Sequence, residues 1–193
     1  MRTMDDARLI RIVDSAMAEA ARRSGPWLAC RPGCTQCCIG PFPITQLDAV
    51  RLSRGLAELA ARDPERAARV RERARLAVAQ MSADFPGDPA AGIITRDDES
   101  FCEQYGIDPC PALDPETGTC DLYAARPITC RTFGPAVRSH GGEALSTCEL
   151  CYKGVPDERI AACEVDFDPE GLEAALLDQL EPRGDTFVAW ALR

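Results

Sequence analysis

The chain has 193 residues, 46% of them hydrophobic, which is enough to bury a core and predicts an ordinary globular protein. Its 22 basic and 31 acidic side chains give a net charge of -9, which argues against a nucleic-acid-binding surface. Near the N-terminus, Asp5, Arg8 and Asp14 leave no unbroken apolar run, which argues against a secretory signal or a membrane span and favours a cytoplasmic protein.

Eleven cysteines against a single histidine are the most unusual feature of the composition. In a reducing compartment such a set favours metal or redox chemistry over structural disulfides, and an odd number cannot be fully paired within one chain. Four of these thiols fall within nine residues, from Cys30 to Cys38. The sequence therefore predicts a polythiolate metal site, with a disulfide framework as the less favoured alternative.

Predicted helices lie on either side of the cysteine loops. Apolar residues at three- and four-residue steps predict an N-terminal helix over residues 4–23. Thr45 is a good N-cap for a second helix to about residue 61, and Asp63 followed by Pro64 begins a third that extends to about residue 81. The inward faces of these two helices are predicted to carry Leu47, Val50, Leu56, Leu59, Val70, Leu76, Ala77 and Met81. Acidic residues interrupt the arginines between Arg66 and Arg75, so a solvated face is expected there.

The middle of the chain is predicted to be largely irregular. Prolines, glycines and acidic residues indicate a long surface loop over residues 84–106, with a short strand at residues 93–95. Turn residues between Asp114 and Gly118 predict a β-hairpin that brings Cys110 and Cys120 together. Cys130, which follows a proline, is expected on an extended or looped backbone.

The C-terminal segment is predicted to be helical again. Asp168 suits the N-cap of a helix to about residue 180, and a short helix over residues 186–192 is expected to pack Phe187 and Trp190 onto the bundle. The fold class is therefore mainly α, a single domain over residues 1–193 with a cysteine-cluster core over about residues 28–163. In it, helices surround a Cys-rich loop and a β-hairpin that need metal in order to fold.

Two pairs of cysteines are separated by two residues. The turn within such a pair aims both sulfurs at one metal ion and backbone N–H groups at the thiolates, as expected for Cys34 with Cys37 and for Cys148 with Cys151. The same spacing describes a thioredoxin-like redox centre, so a thiol–disulfide protein is an alternative. Adjacent thiols diverge in most backbone conformations. One of Cys37 and Cys38 is therefore expected with Cys34 and the other at a second site or bridging, which predicts more than one centre.

In combination, the cysteine stretches resemble one family. The matching motifs are Cys30-Xaa3-Cys-Xaa2-Cys-Cys, Cys110-Pro-Xaa-Leu-Asp, Thr-Gly-Xaa-Cys120-Xaa-Leu-Tyr and Arg126-Pro-Xaa-Xaa-Cys130-Arg-Xaa-Phe. Over about residues 28–133 the chain resembles the YkgJ-type cysteine-cluster family, whose members are described as zinc- or iron-chelating proteins. The family name implies two residues after the first cysteine, whereas Cys30 is followed by three. The resemblance implies a metal site rather than a reaction, although one branch includes a longer flagellin lysine methylase.

Nine cysteines are predicted as metal ligands, namely Cys30, Cys34, Cys37, Cys38, Cys110, Cys120, Cys130, Cys148 and Cys151. Arg126 and Arg131 are expected to neutralise thiolate charge or anchor the ligand loops, with surface ion pairs as the alternative. Cys102 and Cys163 are expected to be buried apolar thiols. His140 is expected to be exposed, with a mixed metal site as the alternative.

Ligand type alone leaves the metal open, since zinc and iron–sulfur clusters both accept four thiolates. If the metal is iron, a 4Fe-4S cluster is the expected form. The spacing from Cys30 to Cys37 also matches radical SAM enzymes, but the chain lacks the strand–helix alternation that those enzymes need. The favoured function is a metal-binding protein with a structural, storage or electron-transfer role. A metal-dependent enzyme of methyl transfer or other SAM-linked chemistry and a thiol–disulfide protein are the alternatives. No catalytic residue and no protein partner is predicted.

Overall fold

A computed structural model describes residues 6–139, 142 and 147–193. The start of the predicted N-terminal helix and His140 lie outside these residues. Within them the chain is mainly helical, as predicted. It divides into two compact units, unit 1 (Met1–Cys34 with Ile128–Gln179) and unit 2 (Thr35–Pro127 with Leu180–Arg193). The single-domain organisation of the whole chain stays a prediction. No helix among the described residues is long and apolar enough to cross a membrane.

The described residues form short strands and α-helices of 5 to 18 residues. The helices are α1 (Ala7–Ser24), α2 (Gln46–Arg62), α3 (Pro64–Met81), α4 (Glu99–Gln104), α5 (Ile128–Thr132), α6 (Asp157–Ala161), α7 (Leu172–Leu177) and α8 (Val188–Leu192). The strands are β1 (Pro43–Ile44), β2 (Gly87–Asp88), β3 (Ile93–Ile94), β4 (Leu113–Asp114), β5 (Thr119–Cys120), β6 (Val137–Arg138), β7 (Val165–Asp166) and β8 (Thr186–Phe187). The strands pair as β1–β8, β2–β3 and β4–β5, all antiparallel, and as the parallel pair β6–β7.

In unit 2 the core forms where α2, α3 and α8 pack together. Both predicted caps are present. The Thr45 hydroxyl accepts from the Asp48 N–H at 3.2 Å, and the Asp63 carboxylate accepts from the Arg66 N–H at 3.0 Å. Pairing of Pro43 with Phe187 then ties the segment before α2 to the strand that leads into α8.

Two residues predicted to face inward do not. Val50 on α2 is 54% exposed and Leu76 on α3 is 52% exposed. On α2 the buried stripe instead includes Leu52, which lies beside a buried ion pair between Asp48 and Arg51. Asp48 and Arg51 occupy inward-facing positions of α2. The buried face of this helix therefore differs from the face that apolar spacing alone predicts.

Residues 84–106 are more ordered than the predicted surface loop. The expected strand is present as β3, but α4 was not predicted. Phe101 of α4 is buried with Phe85, and the latter ring lies 4.3 Å from that of Trp190, centroid to centroid. Phe187 stacks on Phe101 at 4.7 Å, so both C-terminal aromatics are buried as predicted. Residues 84–106 are ordered because the rings of Phe187 on β8 and Trp190 on α8 pack with Phe85 and Phe101 in one aromatic core.

Unit 1 is built on α1, which packs against α5 and β7. Leu9, Val13 and Ala20 form the buried stripe that the periodicity predicts. Cys130 lies on α5 and not on the extended backbone predicted for it. A proline just before a first helical turn is tolerated, because the N–H it lacks would have no partner within the helix. The preceding proline therefore starts this short helix instead of preventing it.

The C-terminal helix prediction was wrong in its N-cap residue, which is Gly171 and not Asp168, and in its length, although Asp168 does bond to the start of the helix. Both carboxylate oxygens of Asp168 accept backbone N–H groups, from Leu172 and Glu173, at 2.9 Å each. The helix α7 begins only after Gly171, which has a φ of 65°, and it ends at Leu177. The last segment starts as strand β8 and becomes helical at α8.

Candidate metal centres

Eight of the nine predicted ligands fall into two groups of four, and each group lies within one unit. Group A, in unit 1, consists of Cys30, Cys34, Cys148 and Cys151. Group B, in unit 2, consists of Cys37, Cys38, Cys110 and Cys120. The run of four cysteines at the start of the motif is thus divided evenly between two groups.

Group A forms because two backbone contacts hold its turns together. The Tyr152 N–H donates to the Trp27 carbonyl at 2.8 Å, and the Ala29 N–H donates to the Cys151 sulfur at 3.5 Å. Burial, with the nearby thiols of Cys151, Cys34 and Cys148, raises the pKa of Cys30 to about 11. Such crowding of thiols resists ionisation and is relieved when a cation binds.

Gly134 contacts two cysteines of group A, and the sequence analysis did not predict this. Its carbonyl accepts from the Cys148 N–H at 3.4 Å. Its φ is +127°, and a Cβ at this position would lie 2.7 Å from the Cys30 sulfur. Only glycine fits where the backbone runs this close to a ligand.

Group B is assembled from a tight turn and the predicted hairpin. Cys37 and Cys38 lie in a 3₁₀ turn over Gln36–Cys38, and the Cys110 N–H donates to the Cys38 carbonyl at 2.8 Å. Leu113 pairs with Cys120 across β4 and β5, which confirms the hairpin. The thiols of Cys37 and Cys38 share a hydrogen bond within this turn, which favours one site for both, and the expectation that one of them serves a second site or bridges stays a prediction.

Charge is unevenly distributed within group B. A hydrogen bond from the Cys38 thiol, with a further contribution from the Arg126 guanidinium, lowers the pKa of Cys37 to about 6. The same hydrogen bond raises the pKa of Cys38 far above its ordinary value. Burial raises the pKa of Cys110 to about 12. Within this pair the hydrogen bond therefore favours ionisation of Cys37 over that of Cys38.

Backbone N–H groups point at sulfur in both groups. The N–H groups of Ala112 and Leu113 stabilise the Cys110 thiolate, and the Leu150 N–H does the same for Cys148. N–H donors to sulfur are a usual feature of sites in which four thiolates hold one metal centre. The donor chemistry of both groups therefore fits an all-thiolate metal site. Across residues 6–139, 142 and 147–193, no three His, Cys, Asp or Glu side chains are placed to hold a metal ion as they stand.

The sequence model of one family, CxxCxxCC, matches residues 29–151 and is described as "Putative zinc- or iron-chelating domain". The match covers more than half of the chain and includes every cysteine of groups A and B. The protein belongs to the CxxCxxCC family. The description of the family supports metal binding in general. No curated protein and no solved structure matches the chain.

Cys130 and Arg131 of this CxxCxxCC protein lie on α5, and Cys163 also belongs to unit 1. Cys130 is half-buried on α5, and its role as a ligand stays a prediction. Arg131 is buried and donates to the Asp14 carboxylate on α1 at 2.6 Å, an ion pair like the predicted alternative except that the arginine is not at the surface. Cys163 is buried as expected and donates to the Arg23 carbonyl at 3.4 Å.

Arg126 and Cys102 differ in what surrounds them. The Arg126 guanidinium stacks 4.1 Å above the Tyr123 ring and favours the thiolates of Cys37 and Cys120. Its role in neutralising bound thiolates or anchoring the ligand loops stays a prediction. At Cys102, by contrast, burial and the Asp98 carboxylate raise the pKa of the thiol to about 12. An uncharged, half-buried thiol of this kind is a suitable control in tests of the ligands.

Two arginines of α3 were wrongly predicted to be solvated. Arg66 and Arg73 bind the two carboxylate oxygens of Asp121, each at 2.5 Å, and the carboxylate is 1% exposed. Arg69 and Arg75 are exposed as predicted. A sequence signal existed, because the two arginines are seven residues apart and so share a helix face, and an acidic residue directly follows a predicted ligand.

A cavity of about 260 Å³ in unit 2 borders group B at Cys110. Apolar side chains from β8, α8, α3 and the hairpin make up most of its wall, including Phe42, Leu76, Met81, Leu113, Phe187 and Val188. This apolar surrounding accounts for the burial that raises the pKa of the Cys110 thiol.

Proposed function

We propose that the protein binds metal at two separate all-thiolate centres, one at group A and one at group B. One observation carries this proposal: cysteines from distant parts of the sequence sort into two sets of four, each within a single unit. Four thiolates are the full ligand set of a structural zinc ion and of an iron–sulfur cluster. Cys130, the ninth predicted cysteine, is proposed as a ligand that exchanges with one of the four thiols of group A in unit 1.

The sulfurs become ligands by turning about their side-chain bonds. Moving a cysteine from one staggered χ1 rotamer to another shifts its sulfur by roughly 3 Å with the backbone fixed. The turns at Cys34 and Cys151 and the hairpin at Cys120 already bring the backbones together. Closing each set is therefore proposed to involve side-chain rotation within this backbone frame.

A complete set of four thiolates leaves no open position on the metal, which favours a structural or electron-transfer role over hydrolysis. In unit 1 a centre at group A links the segment before Cys34 to the Cys148–Cys151 turn. In unit 2 a centre at group B links the Cys37–Cys38 turn to the hairpin. A structural zinc site contributes about 10–16 kcal/mol of apparent binding free energy to small domains at neutral pH, so each centre stabilises the unit that holds it.

We further place the protein in the cytoplasm. All eleven cysteines are free thiols in the structure. Cysteine ligands stay available for metal where glutathione and thioredoxin keep them reduced. In oxidising compartments such thiols form disulfides and no longer bind metal.

The experiment is elemental analysis and absorption spectroscopy on protein purified without oxygen. Two metal equivalents in a colourless sample indicate zinc, whereas iron with sulfide and a broad visible sulfur-to-iron band indicates clusters. The variant C34S should lose the metal of unit 1 only, and C37S the metal of unit 2 only. The control C102S should keep both, because that thiol lies outside the two groups. Protein without metal under these conditions, or loss of all metal in either single variant, contradicts the proposal.

A further inference from the structure

One arginine of α3 bonds to both arms of the group B hairpin. Arg73 Nε donates to the Pro111 carbonyl at 2.8 Å, and its Nη2 donates to the Asp121 carboxylate at 2.5 Å. Pro111 directly follows the ligand Cys110, and Asp121 directly follows the ligand Cys120. A single side chain thus spans the two backbone positions next to two thiols of the same group.

The acceptor carboxylate is fully engaged. Its second oxygen accepts from Arg66 Nε at 2.5 Å, and the Asp121 N–H donates to the Ala112 carbonyl at 2.8 Å. The Asp121 side chain is 1% exposed, and that of Arg73 is 23% exposed. The buried Asp121 carboxylate is stable only while its arginine partners are in place. Removal of Arg66 or Arg73 therefore disturbs the hairpin that carries Asp121.

The hairpin needs this support. Its ladder contains two residue pairs, Leu113 with Cys120 and Asp114 with Thr119, which is too short to fix the spacing of its arms. The guanidinium is planar and presents its N–H groups in a fixed fork, so two simultaneous hydrogen bonds define the separation of their acceptors. By contrast, the Arg75–Glu72 pair on the same helix is exposed at both ends and joins α3 only to itself.

We propose that Arg73 and Asp121 are positioning residues for the centre at group B: they set the separation of Cys110 and Cys120 before metal binds. This inference rests on the proposed metal-binding function. The outer partners of ligand-bearing segments typically contribute about 10–100-fold to metal affinity. Loss of Arg73 therefore weakens the group B centre by a factor in this range and leaves group A, in the other unit, unchanged.

The metal test uses Cd²⁺ as the probe, because cadmium NMR resolves two thiolate sites within one protein, and C37S assigns the group B signal. Chelator competition then gives the affinity of each site in R73Q and in the matched control R75Q, which also removes an ion-paired arginine from α3. We expect R73Q to lose about 10–100-fold at group B and less than twofold at group A, with R75Q unchanged at both. Affinity at group B within twofold of R75Q overturns the proposal.

A second variant and a second measurement distinguish the positioning role of Arg73 from loss of the fold and from failure of the proposed function. R73K keeps a cation for Asp121 but cannot span both acceptors, so it stays folded and still loses affinity at group B. If the wild-type protein binds no cadmium, the proposed function is wrong, and the spacing alone is tested by hydrogen exchange at the Asp121 N–H, whose bond to the Ala112 carbonyl joins the two arms. Exchange at this amide should then be faster in R73Q than in R75Q, and equal rates overturn the positioning role.

Discussion

The Gly134→Ala substitution tests group A through a single atom. The added Cβ lies 2.7 Å from the Cys30 sulfur, and the backbone φ of +127° disfavours any side chain. The added Cβ crowds the Cys30 sulfur and restricts the rotation by which this thiol joins the other three at one metal ion. The contact therefore appears as a loss of metal affinity. Overpacking of this kind costs about 1–3 kcal/mol, which corresponds to an affinity about 5- to 150-fold weaker at group A.

The matched control is Gly154→Ala, also in unit 1. That glycine has a φ of +73°, and a Cβ there meets nothing within 4 Å, so the control carries backbone strain without the contact. Zinc affinity of each site is measured by chelator competition, and thermal unfolding of the metal-free proteins reports the strain shared by the two variants. The reasoning is refuted if Gly134→Ala keeps the group A affinity of Gly154→Ala, or if the loss occurs at group B.

Two further predictions concern unit 2. Gly55→Ala should destabilise the protein by about 1–3 kcal/mol despite alanine's helix propensity, because its Cβ would lie 2.3 Å from that of Ala125; a higher melting temperature contradicts this. In metal-free protein, alkylation of Cys37 should rise with pH to half its maximal rate near pH 6, because the thiolate is the nucleophile and its pKa is about 6. Cys110, with a pKa of about 12, should stay unreactive at neutral pH, and mass spectrometry of the alkylated peptides would show the reverse order if the assignment is wrong.

Local chemistry made much of the fold predictable. Thr45 and Asp63 cap their helices with side chains that reach only a few residues along the chain. In the hairpin, Asp114 accepts from the Glu116 N–H and the Thr117 hydroxyl, contacts that the turn sequence itself supplies. Elements whose stabilising contacts lie within five residues are therefore readable from the sequence.

Other features depend on contacts between distant parts of the chain. Burial of Phe101 is decided by Phe187, which lies far along the sequence and has no periodic relation to it. The ion pair of Arg73 with Asp121 likewise joins α3 to a hairpin, and composition alone predicts a solvated arginine. The assignment of cysteines to groups A and B has the same origin, because it follows from which segments fold together and not from the spacing of the thiols.

The position of α8 in the chain has a consequence for biosynthesis. This helix packs with α2 and α3 to complete the core of unit 2, yet it follows every cysteine of both groups in the sequence. During translation the thiols of group B, of which Cys120 is the last, emerge well before Trp190 and its neighbours can enclose their unit. During that interval all four thiols of group B are present while the core of unit 2 still lacks α8. The metal centre proposed at group B therefore gains its enclosing core only after all four of its ligands have been made.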